Sequence, residues 1–159
     1  NFNINYFNFM KKTILSLIIL FFLAQNLFAN TVKVIDGDTI KIGNEKIRFG
    51  GIDAPELKQI CFKNEEKISC GILVKNVLKK KIGKETPKCI SEGKDIYKRT
   101  IAECFINGES LSKFLVSNGY AFAYRKYSRK FIKDERFAKK NKLGLWSMKF
   151  MFPWEFRKL

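Results

Sequence analysis

The sequence predicts an α+β fold that is mainly β: a small five-stranded Greek-key barrel with about three helices. Three observations predict it. Short apolar segments alternating with polar positions and bounded by turn residues crowd the stretch from Thr31 to Ile106, the pattern of half-buried strands. One helical stretch, "CGILVKNVLKKKI", falls after the third such segment, and two more helical stretches follow the fifth. The length of 159 residues and the hydrophobic fraction of 46% suit one domain with a single core.

From Thr31 to Ile42 the alternation brackets Asp36-Gly37, a dipeptide that favours a tight hairpin turn, so this stretch holds strands one and two. Lys46 to Ile52 is the third strand. After the turn at Pro55, Lys58 to Ser69 forms a polar loop. The first helix then places Leu73, Val74, Val77 and Leu78 on one side. Thr86 to Ser91 and Tyr97 to Ile106 are strands four and five, joined by the turn "EGKD". Leu111, Phe114 and Leu115 line a short helix that ends at Gly119, a residue suited to a left-handed C-terminal cap. A basic helix over roughly Ser128 to Lys142 precedes "GLWS". Tyr127, Phe131 and Phe137 in this region are expected in the core, with the lysines as a solvated face. Three strands, helix, two strands, helix, helix is the order of an OB-type barrel. The domain is assigned to residues 30–147. Residues 148–159, ending "FMFPWEFRKL", are too few for a domain and too aromatic for a free linker, so this tail is expected to pack on the body.

The N-terminal stretch has a different character. Met10-Lys11-Lys12 leads into the apolar run Thr13 to Leu23 and then "AQNLFA", a signal-peptide pattern over residues 10–29 with a cut after Ala29. An eleven-residue apolar run falls short of the roughly 20 needed to span a bilayer, so a membrane tether arises only if the signal stays uncleaved. Residues 1–9 precede the methionine and are read as translated upstream sequence.

Basic residues number 31 against 15 acidic ones, and the formal net charge is +16. Loss of residues 1–29 removes two lysines and no acid, which leaves +14. A domain this basic is suited to a polyanionic partner, nucleic acid or an anionic surface. Nine basic residues lie between Arg125 and Lys142. The four cysteines, Cys61, Cys70, Cys89 and Cys104, are even in number in a chain read as exported, so disulfides are the expectation, with three pairings open. With no C-x-x-C spacing and no histidine, a zinc site is disfavoured, and imidazole-dependent triads and nucleases are excluded.

Against that basic background stand two acidic clusters, Asp36-Gly-Asp38 and Asp53-Ala-Pro-Glu56. Strand pairing brings Asp38 and Asp53 toward one end of the barrel. Two carboxylates held together need a cation between them, and hard oxygen ligands suit Ca²⁺ or Mg²⁺ with water and phosphate oxygens filling the remaining positions. Arg48 lies between the clusters and Arg99 begins the fifth strand. Guanidinium groups grip phosphate oxygens with paired hydrogen bonds, and Glu56 is a carboxylate able to position or deprotonate water.

Five motifs at compatible spacing, "VIDGDTIKI", "IRFGGIDAPE", "DIYKRTIAECF", "LSKFLVSNGYAFAY" and "KNKLGLW", resemble the staphylococcal nuclease (thermonuclease) family over essentially all of Thr31 to Ser147. The resemblance implies a Ca²⁺-dependent nuclease that hydrolyses DNA and RNA to products with 5′-hydroxyl and 3′-phosphate ends. By position it makes Asp38 and Asp53 the Ca²⁺ carboxylates, with the Ala54 backbone carbonyl beside them. Arg48 and Arg99 become the phosphate-binding arginines, and Glu56 the general base or water-orienting group. Tyr97 and Tyr124 match tyrosines near the bound nucleotide, and Asp36 an acid close to the metal but not on it. The cysteines resemble those of exported nuclease-like proteins of Gram-negative bacteria, which favours Cys61 with Cys70 and Cys89 with Cys104. A monomer without an obligate protein partner, periplasmic or secreted, is the accompanying expectation. The alternative is a non-catalytic nucleic-acid-binding OB-fold module, since this barrel serves binding as readily as cleavage. A basic protein holding anionic glycan or lipid is a second rival, which leaves the carboxylate and arginine set unexplained.

Overall fold

Paired strands carry the fold in the computed structural model, which describes residues 31–159. The expected signal segment and the nine residues before it lie outside the described residues. Strand β1 (Val32–Val34) turns back through Asp36-Gly37 into β2 (Thr39–Ile42), antiparallel with Val34 opposite Ile40. The turn is drawn tight because the Ile35 N–H donates to the Thr39 carbonyl at 2.9 Å and the Asp36 carboxylate accepts from the Asp38 N–H at 3.1 Å. Strand β3 (Glu45–Phe49) pairs antiparallel with β2, which sets Arg48 opposite Thr39.

The third strand stops earlier than the sequence predicts. Gly51 takes a φ of +70°, a left-handed conformation open to glycine, and the chain leaves the sheet. Ile52–Asp53 then forms a separate strand, β4, paired with Phe122–Ala123. The expected polar loop contains a hairpin, β5 (Cys61–Lys63) and β6 (Glu66–Ile68), turned by Asn64 and Glu65 at φ of +49° and +67°. Asn-Glu lacks the glycine that marks such turns in a sequence.

Helix α1 (Cys70–Ile82) buries Val74, Leu78 and Ile82. Strands β7 (Lys88–Lys94) and β8 (Thr100–Ile106) follow, and β8 lies parallel to β3 with Ile47 opposite Thr100. The long strands therefore run in the order β1-β2-β3-β8-β7, with α1 between the third and fourth of them in sequence. This is the OB-type arrangement. Along β8 the side chains of Ala102, Cys104 and Ile106 point into the core at every second position. The β7–β8 turn is displaced from "EGKD": β7 continues through Gly93 and Lys94 after a bulge, and the reversal falls on Asp95–Lys98. The Asp95 carboxylate organises it by accepting from the Tyr97 and Arg99 N–H groups, both at 2.9 Å.

A short strand β9 (Glu109–Ser110) leads into helix α2 (Leu111–Ser117), where the Ser110 hydroxyl caps the first turn by accepting from the Lys113 N–H. After β10 (Phe122–Ala123) come helix α3 (Ile132–Lys140), a 3-10 turn at Gly144–Ser147 and the four-residue helix α4 (Pro153–Phe156). The fold thus has four α-helices among the described residues, one more than expected, and α3 is shorter than the basic stretch suggests. Only Phe131 of the three aromatics near α3 joins the core; Tyr127, in the turn before the helix, is exposed, and Phe137 is exposed because the buried edge of α3 is taken by Ala138 and Glu135.

Phe49, Phe122, Ile40, Ile52, Leu78, Leu111, Leu115 and Leu145 are the large fully buried apolar side chains of the single core. Two disulfides, Cys61–Cys70 and Cys89–Cys104, join the β5–β6 hairpin to the start of α1 and β7 to β8. The tail packs its aromatic residues against the body: the Phe122 ring meets those of Phe150, Phe152 and Trp154 at 5.0, 5.0 and 6.1 Å. Such ring pairs add to the area they bury.

Gly119, at the end of α2, has a φ of +75°, and a Cβ placed there would lie 2.2 Å from the Leu143 carbonyl oxygen. Gly119→Ala is therefore expected to destabilise the fold by about 2–3 kcal/mol, from backbone strain and the clash together. A urea melt showing a lower midpoint with an unchanged slope checks this.

Candidate functional site

Asp38 comes at the end of the first turn, Arg48 from β3 and Asp53 from the end of β4, and the pairing of these strands brings them together. Arg48 binds both acids with one guanidinium: Nη1 donates to Asp38 Oδ1 at 2.7 Å and Nη2 to Asp53 Oδ1 at 3.0 Å. Both carboxylates are buried, Asp38 at 4% exposure and Asp53 at 0%. Asp38 also accepts from the Thr39 hydroxyl and the Ala54 N–H, each at 3.1 Å, so the residue after Asp53 is held against the carboxylate pair. A buried ion pair needs such further hydrogen bonds to offset the loss of hydration.

Beside this cluster opens a cavity of about 600 Å³, lined among others by Asp36, Asp38, Arg48, Ala54, Glu56, Tyr97, Arg99 and Tyr124. Every residue singled out from the sequence for metal, phosphate or nucleotide contact reaches this cavity except Asp53. Arg99 lines the cavity, its Nε donating to Asp95 Oδ2 at 2.7 Å, with the guanidinium over the Tyr97 ring at 5.6 Å. Tyr97 is 73% exposed at the rim. Tyr124 stacks on Trp154 with ring centres 6.1 Å apart. The four cysteines lie outside the cavity and serve the frame.

Two residues of the site escape sequence reasoning. Arg157, beyond α4, places Nη2 2.7 Å from Asp53 Oδ2, and Nη1 3.1 Å from Asp53 Oδ1 and 2.7 Å from Glu56 Oε1. The aromatic tail hinted at packing, but no local pattern tells that "EFRKL" returns to acids 101 and 104 positions earlier. Gln59, at 1% exposure, accepts from the Glu56 N–H at 3.2 Å through Oε1 and donates from Nε2 to the Met151 carbonyl at 2.5 Å. It ties the Glu56 loop to the tail. Gly71 closes the back of that loop, where a Cβ would fall 1.9 Å from the Glu56 carbonyl oxygen.

The donors facing one another here are oxygens, which suit a hard cation and not a soft one. Two guanidinium groups, of Arg48 and Arg157, already supply positive charge to the paired acids. Among the described residues no three Asp, Glu, His or Cys side chains are grouped to hold a metal by themselves. A metal at this place would complete its coordination with main-chain, water or phosphate oxygens.

A family model described as "Staphylococcal nuclease homologue" matches residues 46–148. The chain belongs to that family. It is 32% identical over 124 residues to an uncharacterized endonuclease of Haemophilus influenzae, covering 73% of this chain and 64% of the relative. It is 31% identical over 118 residues to the succinoglycan biosynthesis protein ExoI of Rhizobium meliloti, covering 71% and 61%. An uncharacterized endonuclease of Escherichia coli is 27% identical over 132 residues, covering 79% and 80%. The chain thus spans somewhat under two thirds of the length of the first two relatives.

Burial pushes the Asp38 carboxyl up to about 7, against the pull of the Arg48 guanidinium and with the repulsion of Asp36 and Asp53. Between the ordinary carboxylate value and about 7 the folded state keeps a proton that the unfolded chain has released, so this group makes stability fall as pH rises across that window. Urea melts at pH 5 and pH 8 in chelator are expected to show a larger loss of stability on going to pH 8 for the wild type than for Asp38→Asn.

Proposed function

We propose that the protein is a Ca²⁺-dependent nuclease that cleaves phosphodiester bonds of DNA and RNA and leaves 5′-hydroxyl and 3′-phosphate ends. The observation that carries this reading is the buried Asp38–Arg48–Asp53 cluster opening onto one cavity with Glu56 and Arg99, in a chain of the staphylococcal nuclease homologue family. Asp38, Asp53 and the Ala54 carbonyl would hold the cation. When bound, it supplies Lewis-acid charge stabilisation to a phosphate oxygen.

The chain's own residues account for the remaining steps. The basic surface gathers the polyanion by counter-ion release and steering, and Arg48 and Arg99 grip the scissile phosphate as charge builds on its oxygens. Glu56 accepts a proton from the attacking water. The new P–O bond forms as the bond from phosphorus to the 5′ oxygen breaks, and that oxygen takes a proton from solvent water and leaves as the 5′-hydroxyl while the phosphate stays on the 3′ side. Tyr97 and Tyr124 flank the cavity as ring surfaces for a base. We also infer export to an oxidising compartment, periplasmic or extracellular, which both disulfides and the absence of a free cysteine support. Among the described residues no helix is long and apolar enough to cross a membrane.

One observation favours a non-catalytic nucleic-acid-binding module instead: Asp53 is wholly covered and Glu56 is engaged by Arg157. The two readings separate in one experiment, digestion of single-stranded DNA and of RNA with Ca²⁺ or with chelator, followed by end-group analysis. The nuclease reading expects Ca²⁺-dependent products with 5′-hydroxyl and 3′-phosphate ends; binding without cleavage in any divalent metal establishes the module. Glu56→Ala and Arg99→Ala are each expected to lower kcat by about 10²- to 10⁴-fold with the melting transition retained. Near-normal turnover in either variant would remove that residue from its assigned role.

A further inference from the structure

Asp53 is absent from the cavity wall because a cation covers it. Arg157 forks over both of its oxygens, at 2.7 and 3.1 Å, and spans to Glu56 at 2.7 Å, so one guanidinium engages the two carboxylates that the proposed reaction needs free. We propose that Arg157 is a tethered counter-ion of the site, exchanged for the divalent cation, and that its grip on Asp53 and Glu56 sets how tightly the site binds metal. This rests on the metal-dependent reading given above.

The two arginines on Asp53 are placed differently. Arg48 rises from the middle of the sheet, binds Asp38 and Asp53 together, and its side chain is 19% exposed. Arg157 follows the last helix, its side chain is 37% exposed, and its guanidinium hydrogen-bonds to Asp53 and Glu56. Arg157 is therefore the one able to leave. Its departure leaves the tail in place, because the anchors lie before it: Pro153 is buried, Trp154 meets the Phe122 ring with centres 6.1 Å apart, and Gln59 holds the Met151 carbonyl. Rotation of the arginine side chain is enough. The freed guanidinium remains at the mouth of the site, since Arg157 lines both the main cavity and an adjoining pocket of about 320 Å³ with Glu56 and Lys58.

A divalent cation on Asp53 and a guanidinium forked over the same two oxygens repel each other, and they compete for the same lone pairs. Binding of one must weaken binding of the other by the same factor. A single displacement would uncover Asp53 and release Glu56 to water.

The test measures Ca²⁺ binding directly, by calorimetric titration of the disulfide-bonded protein after chelator treatment and without nucleic acid. Arg157→Ala and Arg157→Gln are expected to bind Ca²⁺ about fivefold or more tightly than the wild type, with Arg157→Lys between them, since lysine keeps the charge and loses the fork. Circular dichroism and melting confirm the fold of each variant, and Arg157→Gln, which keeps much of the side-chain stem, carries the test if the alanine variant unfolds. Equal or weaker Ca²⁺ binding by folded variants of a wild type that does bind overturns the inference and leaves the nuclease reading standing. Failure of wild type and variants alike to bind Ca²⁺, Mg²⁺ or Mn²⁺ overturns the metal-dependent reading and the inference with it.

Discussion

Two carboxylates buried side by side in one protein repel each other strongly unless a cation lies between them, and in this fold that cation is Arg48. Its fork requires β2 and β3 to pair with Thr39 opposite Arg48, which delivers the guanidinium to Asp38, and requires β4 to leave the sheet just after Gly51, which delivers Asp53 to the other nitrogen. A slip of one residue in the β2–β3 register would turn Arg48 to the opposite face of the strand and leave Asp38 buried without its partner. The early end of the third strand is thus part of the same constraint, since continuation of β3 through Ile52 would carry Asp53 along the sheet and away from Arg48.

The second half of the site depends on a loop that the barrel alone does not hold. Glu56 sits between the first four strands and α1, and three features fix it. Gly71 lets α1 press directly on the Glu56 carbonyl, the Cys61–Cys70 bridge ties the loop's hairpin to that helix, and Gln59 links the Glu56 N–H to the tail. The tail is held in turn by the aromatic stack that begins at Phe122, in the strand that pairs with β4. Sheet, loop and tail therefore meet at Asp53 and Glu56, and Arg157 is where the tail touches them.

Electrostatics gives the site its character. A net charge of +16 favours polyanionic partners, yet Asp38 and Asp53 are buried in the fold. An anionic phosphate would be repelled by Asp38, Asp53 and Glu56 if they stood alone. Arg48 and Arg157 offset that charge by direct ion pairs with the acids. On the proposed nuclease reading, the acidic cluster and the basic surface act together on one phosphate.

Much of this was legible in the sequence because it is local. Alternating apolar positions and a handful of turn residues determined the strand order, the position of α1 and the end of α2 at Gly119. Asp38, Arg48, Asp53, Glu56 and Arg99 stand in short motifs, and strand pairing gathers them at one buried cluster and the cavity beside it. The tertiary structure alone decided the remainder. Whether Asn64-Glu65 turns a hairpin, where the β7–β8 reversal falls, and whether Tyr127 or Phe137 is buried depend on neighbours far along the chain that no window of the sequence contains. The pairing of the four cysteines, open among three choices on counting alone, is the one the family resemblance favoured, and the fold brings those strands and helix ends together. Arg157 is the extreme case: a surface-looking residue three from the end becomes a partner of Asp53 because aromatic packing of the tail, not any motif, carries it across the molecule. Strand periodicity and turn chemistry act over a few residues and can be read from order alone; burial and ion pairing act through space and exist only once the chain has closed on itself.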